Sequence, residues 1–179
     1  MTISKLSVVL AIVLMTIAVG RVEAGPIQLR ASGSFLTQGT PIDTNGDGRR
    51  ADLFIVSGTS SQIGALTNQT VVEWVFAGPS TCPIGTVAEG TLVPAGSAFV
   101  TRAANGDLLF GAITSGTNCI SATGIASISA AGIFTGGTGR FSEATGTFTV
   151  TATATPLAFD AAGHAFGGVV ATSEGTLNR

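Results

Sequence analysis

The chain has no tyrosine, one tryptophan, one histidine and two cysteines, and only 10% of its residues are charged. Its single lysine, Lys5, precedes the first apolar run, so everything from Gly25 onward has no lysine, six arginines and nine acidic residues. A net charge of about −3 on that part offers no basic stripe for nucleic acid. No basic amphipathic helix is present to lie on a membrane surface. One histidine, His164, would have to serve any catalytic triad, and the G-x-S-x-G elbow of a hydrolase is missing. Two cysteines and one histidine also fall short of the three or four ligands a zinc site wants. No motif suggests a nucleotide or a redox cofactor. The scarce charge and the abundant Gly, Thr, Ser and Ala suit short strands and tight turns better than helices.

What is present begins with an export signal. Met1 to Ala24 reads as a secretory signal peptide, with Lys5 in the n-region and an apolar run from Leu6 to Val19. Val22-Glu23-Ala24 supplies the cleavage site before Gly25, and the run is short for a bilayer span, which needs roughly 20 apolar residues. An uncleaved anchor is the rival reading. Residues 25–179 then form a single domain, secreted to the extracellular or periplasmic space, with no membrane contact after cleavage. In an exported protein Cys82 and Cys119 are expected to pair. The closed loop is worth about 3–4 kcal/mol in the chain-entropy picture. The alternative, a nucleophilic thiol, lacks any signature tying His164 to either cysteine.

Strand signals recur along the domain. They cover Gln28 to Leu36, Asp52 to Thr59, Gln69 to Ala77, Thr86 to Thr91, Ser97 to Ala103 and Asp107 to Thr114. Cys119 to Thr135, Ala144 to Thr155 and Ala165 to Leu177 complete the set. Pro94-Ala95-Gly96 reads as a turn, and Asn105-Gly106 as a tight hairpin. The cleanest alternation sets Thr147, Thr149, Thr151, Thr153 and Thr155 on one face against Phe148, Val150, Ala152 and Ala154 on the other. Eight or nine such strands joined by short links predict an all-β fold, a closed antiparallel up-and-down β-barrel of about eight strands. Two strands are apolar on both faces, with Val71 and Val75 against Val72, Trp74 and Phe76, and Leu108 and Phe110 against Leu109 and Ile113. One face fills the barrel and the other needs cover, which predicts a homo-oligomer.

Gly136-Gly137-Thr138-Gly139-Arg140-Phe141, followed by Ala144 and Gly146, resembles the G-G-T-G-x-F-x-x-A-x-G signature of the allene oxide cyclase and dirigent barrel superfamily. The likeness is to its secreted bacterial members of unassigned function and is best from Asp107 to Thr155. It implies an eight-stranded barrel and a dimer or trimer. Phe141 would plug the barrel end from a strand that restarts after the turn, flanked by Arg140 and Glu143. Relatives that catalyse use polar residues in the lumen. The candidates here are Glu73, Arg102, Asp107 and His164, with Glu73 beside Trp74 a candidate for a desolvated acid. A structural carboxylate is the plainer reading of Glu73.

Asp43-Thr44-Asn45-Gly46-Asp47-Gly48 resembles calcium loops of the D-x-N-x-D-G kind, and Asp43, Asn45, Asp47 and Asp52 are its candidate ligands. The twelfth position of an EF-hand loop, where a bidentate carboxylate belongs, is Phe54. A solvated loop using Asn-Gly and Asp-Gly as turn residues is the competing reading. Calcium is the one cofactor in question, and otherwise none is expected.

Two functions are expected from this inventory. The first is a non-enzymatic secreted barrel that binds a small apolar ligand or serves a structural or surface role. A packed lumen would favour the structural version, and an apolar cavity of several hundred Å³ the binding version. The second is a barrel enzyme of the cyclase or dirigent kind, guiding cyclisation or isomerisation of an apolar substrate. Convergence of Glu73, Arg102, Asp107 or His164 on one pocket would support it.

Overall fold

The computed structural model of the protein describes residues 24–37, 43, 45–49 and 51–179. The expected export segment lies outside the described residues except for Ala24, as do residues 38–42, 44 and 50 of the polar loop. Eight antiparallel strands close into one barrel, each bonded to its neighbours in chain order, with the last returning to the first. They are β1 (Gly25–Leu36), β2 (Asp52–Ser60), β3 (Gly64–Ala77), β4 (Thr86–Ala103), β5 (Leu108–Ser121), β6 (Ala126–Gly137), β7 (Thr145–Phe159) and β8 (Ala165–Asn178). The expected all-β barrel is the fold. Closure is made by β1 and β8, which pair from Gly25 opposite Leu177 to Leu36 opposite Phe166. Among the described residues no strand is left with an open edge.

Alternation then sorts the side chains. On β7 the threonines from Thr147 to Thr155 face solvent, while Phe148 and Ala154 are buried in the barrel. The Thr151 hydroxyl meets that of Thr172 on β8 at 2.9 Å, so the outer wall is knitted by hydroxyls as well as by backbone.

Three local expectations are corrected. Pro94-Ala95-Gly96 does not turn the chain between two strands, because β4 runs through it as a wide bulge. Val93 lies opposite Glu73 and Ala98 opposite Val71, so four residues of β4 stand against Val72 alone. A bulge needs no ladder donor there, which is where a proline fits inside a strand. Cys119 to Thr135 is not one strand but the end of β5, a turn at Gly124 (φ 80°) and most of β6. Small residues alternate on both sides of that turn and hide it. Phe141 does plug one end, but from a 3-10 turn, Gly139–Phe141, rather than from a restarting strand.

The two ends differ. At one, the links 61–63, 104–107 and 138–144 meet, and Phe141, Leu109 and Leu177 are almost without exposure beside Ile63, Leu66 and Ala144. Arg140 lies over the Phe141 ring at 4.7 Å and donates to the Ile63 carbonyl at 2.8 Å, tying the plug to the β2–β3 turn. At the loop end the described residues of the β1–β2 link meet the links 78–85, 122–125 and 160–164. A second cluster there packs Phe35, Val56, Val169 and the alanines 126, 154 and 165. Between the ends, Phe99, Phe134 and Phe148 pack with ring centroids 5.2–6.2 Å apart.

The β3–β4 link is held down twice. Cys82 is bonded to Cys119 on β5 with the Cα atoms 5.7 Å apart, as expected. Beside it the Glu89 carboxylate accepts from the Thr81 hydroxyl at 2.6 Å and from the backbone N–H groups of Ser80 and Thr81 at 2.6 and 2.8 Å. The Thr81 hydroxyl first, and then those backbone donors, hold Glu89 down to about 2.

Two outcomes are expected. The disulfide spans 37 residues of sequence, so replacing both cysteines by serine should cost about 4 kcal/mol and roughly 10 °C of Tm, read by calorimetry. Glu89 titrates from 4.5 in the unfolded chain to about 2 in the barrel, so its contribution is fully present above pH 4.5 and is lost as the pH falls towards 2. Glu89→Gln should flatten the fall in Tm across that window relative to the wild type. An unchanged pH profile would show that the carboxylate does not anchor the link.

Candidate functional site

The barrel interior holds a cavity of about 140 Å³. Its walls come from every strand, because each contributes inward residues at period two. Ile27 and Leu29 of β1, Phe54 and Val56 of β2, Trp74 of β3, Leu92 and Phe99 of β4 and Phe134 of β6 set its apolar character. Four lining residues are polar, namely Asn68, Thr70, Thr101 and Ser173, and among the described residues no charged side chain lines it. Asn68 joins the two threonines: its Nδ2 donates to Thr101 Oγ1 at 2.8 Å, and Thr70 Oγ1 donates to its Oδ1 at 2.5 Å. Trp74 is 8% exposed, and its indole Nε1 has no hydrogen-bond partner.

Asn68 and Thr70 were not singled out from sequence, although Thr70 lay inside an expected strand. The strand expected from sequence begins at Gln69, whereas β3 begins at Gly64 and takes in Asn68. The signal that could have found them is the continuation of the Val72-Trp74 alternation backwards, which puts Asn68 and Thr70 on the same inner row.

None of the expected polar candidates lines the cavity. Glu73 is fully buried (0% exposed) but sits on the opposite side of β3 from Trp74, beneath the bulge of β4. The backbone of Gly96 passes directly over its carboxylate, where a Cβ would collide. Asn45 Nδ2 of the polar loop donates to Glu73 Oε2 at 2.8 Å, and the Glu73 N–H donates to Ser97 Oγ at 3.2 Å. Arg102 is exposed on the outer wall, opposite Thr67 and Leu108. Asp107 is at the plugged rim, where Asn105 Nδ2 donates to it at 2.8 Å and Arg140 Nε lies 3.7 Å away. His164 is in the β7–β8 link at the loop end, with Nδ1 2.8 Å from Asp160 Oδ2. The His164 backbone N–H, and then its ring, hold the Asp160 carboxyl below its usual range. The four residues occupy four separate places.

The polar loop is held by its own groups. Asp43 accepts from the N–H groups of Gly46, Asp47 and Gly48 at 2.6, 3.1 and 2.7 Å. The Arg49 N–H, and after it the Arg49 guanidinium, hold Asp47 below the usual carboxylate range. Asn45 reaches Glu73, and Asp52 is buried as the first residue of β2. Among the described residues no three His, Cys, Asp or Glu side chains are grouped to hold a metal ion.

The chain matches no family model, no curated protein and no solved structure.

Calcium titration reads the loop directly. A cation-centred loop would raise Tm at millimolar calcium, whereas one already satisfied by backbone donors and Arg49 leaves it unchanged, and no change is the expected result.

Proposed function

We propose that this protein is a non-enzymatic binder of one small, largely apolar molecule held in the barrel lumen. The observation that carries the reading is the cavity of about 140 Å³ in the barrel interior, with no charged side chain in its described wall. It is smaller than the several hundred Å³ of a drug-sized pocket. It is close to the roughly 150 Å³ apolar cavity that accepts benzene in an engineered protein. The ligand is therefore about one ring in size.

The setting supports the reading. The Cys82–Cys119 bond suggests an oxidising compartment, extracellular or periplasmic, and export by Met1 to Ala24 would deliver the chain there. The outer wall over β7 and β8 carries Thr147, Thr149, Thr151, Thr172 and Glu174, while the lumen is apolar. Those polar residues interrupt the continuous apolar outer band that a membrane-spanning barrel carries. Half-exposed Val75, Phe110 and Ile133 on the outer faces of β3, β5 and β6 favour cover by a second copy of the chain. The Gly136 to Phe141 signature and the barrel together favour kinship with the allene oxide cyclase and dirigent superfamily. A cyclisation or isomerisation in this lumen would rest on neutral groups alone, Asn68, Thr70, Thr101 and Ser173, so binding is the stronger reading.

Cyclohexane tests it. Calorimetric titration should show saturable binding at one site per chain, with a change in the fluorescence of the single tryptophan, Trp74. Ala152→Leu places a larger side chain into the cavity wall and should abolish that binding while the far-ultraviolet spectrum stays that of the wild type. Non-saturable uptake, or binding that survives Ala152→Leu unchanged, would sink the lumen reading.

A further inference from the structure

The lumen holds hydrogen-bond donors that no group among the described residues takes up. Trp74 lines the cavity, is more than nine-tenths buried and leaves its Nε1–H without an acceptor. An indole nitrogen can only donate. The Asn68 bridge adds a second donor. Asn68 lies between two threonine hydroxyls, and only one of them can donate to its single amide oxygen. The other accepts from the amide nitrogen and keeps its own hydrogen. With Asn68 as placed, that hydroxyl is Thr101, which is 3% exposed; with the amide turned over it is Thr70. Both line the cavity, so in either orientation one hydroxyl hydrogen remains for whatever fills it.

An unmade hydrogen bond at a buried donor is costly, and a partner that supplies an acceptor recovers that cost. An anion is the wrong acceptor. No charged side chain among the described residues lines the wall, and an unpaired charge is expensive in apolar surroundings. From the donor surplus and the size we infer that the lumen takes a neutral, ring-sized molecule bearing an acceptor oxygen, a ketone, ether or ester, and that Trp74 Nε1 donates to that oxygen. The inference rests on the lumen reading above and adds the chemistry of the ligand to it.

The single tryptophan makes the test direct, because its indole N–H gives one resonance in a ¹H–¹⁵N spectrum. Cyclohexanone, cyclohexane and cyclohexanecarboxylate are titrated in parallel. The expected result is that cyclohexanone moves the indole proton downfield at saturation and cyclohexane does not. Cyclohexanone should also bind about five- to tenfold more tightly than cyclohexane, the effect of one net hydrogen bond. The carboxylate should not bind. Trp74→Phe should remove most of the preference for cyclohexanone, and adding Thr101→Val and Thr70→Val should remove what is left of it.

The outcomes separate. If neither neutral ligand binds, the lumen reading itself falls. If both bind equally tightly and the indole proton stays in place, the lumen binds but the acceptor chemistry is overturned. A preference for cyclohexanone that survives Trp74→Phe in full also overturns it, by removing Trp74 as the donor. The wild-type spectrum decides the matter even where a variant fails to fold.

Discussion

Everything in this molecule depends on the pairing of β1 with β8. That ladder turns an eight-stranded meander into a cylinder, and only a cylinder gives every strand two partners. Once it is closed, side-chain alternation has a single meaning: every second residue looks into a shared interior. The threonines of β7 and the phenylalanine among them are then separated by backbone geometry alone. A slip of one residue between β1 and β8 would turn the inner row of one strand outward, so the register is held by burial all round the ring.

The wall is less regular over β3 to β6, and the irregularity has a chemical focus. The β4 bulge bends over Glu73, and its glycine clears space for a carboxylate that a strand of uniform pleat would have left on an outer face. Asn45 comes in from the polar loop to bond it. Glu73 is thus an acid that joins three pieces of chain, the bulge, the loop and β3, and its burial is structural in character. Glu89 does the same for the β3–β4 link, next to the disulfide. Asp43, Glu73, Glu89, Asp107 and Asp160 all bond groups in the connections between strands, and none of the described carboxylates lines the lumen.

How much was legible before the fold was known follows from this. The alternation in β7 identified its own inner and outer rows, and Asn105-Gly106 named its hairpin. The Gly136 to Phe141 segment indicated an end plug, because glycines that adopt positive φ at Gly136 and Gly139 mark a chain that must bend tightly. Residues 86–103 were divided because a proline and a glycine look the same in a turn and in a bulge. The break between β5 and β6 was missed because small residues run through it, Ser121 and Ala122 before Gly124 and Ala126 and Ser127 after it. Glu73, Arg102, Asp107 and His164 stood out because ionisable groups are rare here. The cavity is instead marked by Trp74, the single tryptophan, and by Asn68, Thr70 and Thr101, neutral residues that composition does not flag.

The amino-acid sequence by itself determined the class of fold, the pairing of Cys82 with Cys119 and the inner and outer rows of β7, since these follow from local periodicity and from a thiol count of two. Only the tertiary structure decided which inward rows meet. Asn68 and Thr101 are thirty-three residues apart and become partners through the β3–β4 register, itself set by a bulge whose size no local pattern encodes. The size of the cavity was decided in the same way, because it is the volume left after inward side chains from all eight strands have been brought round one axis.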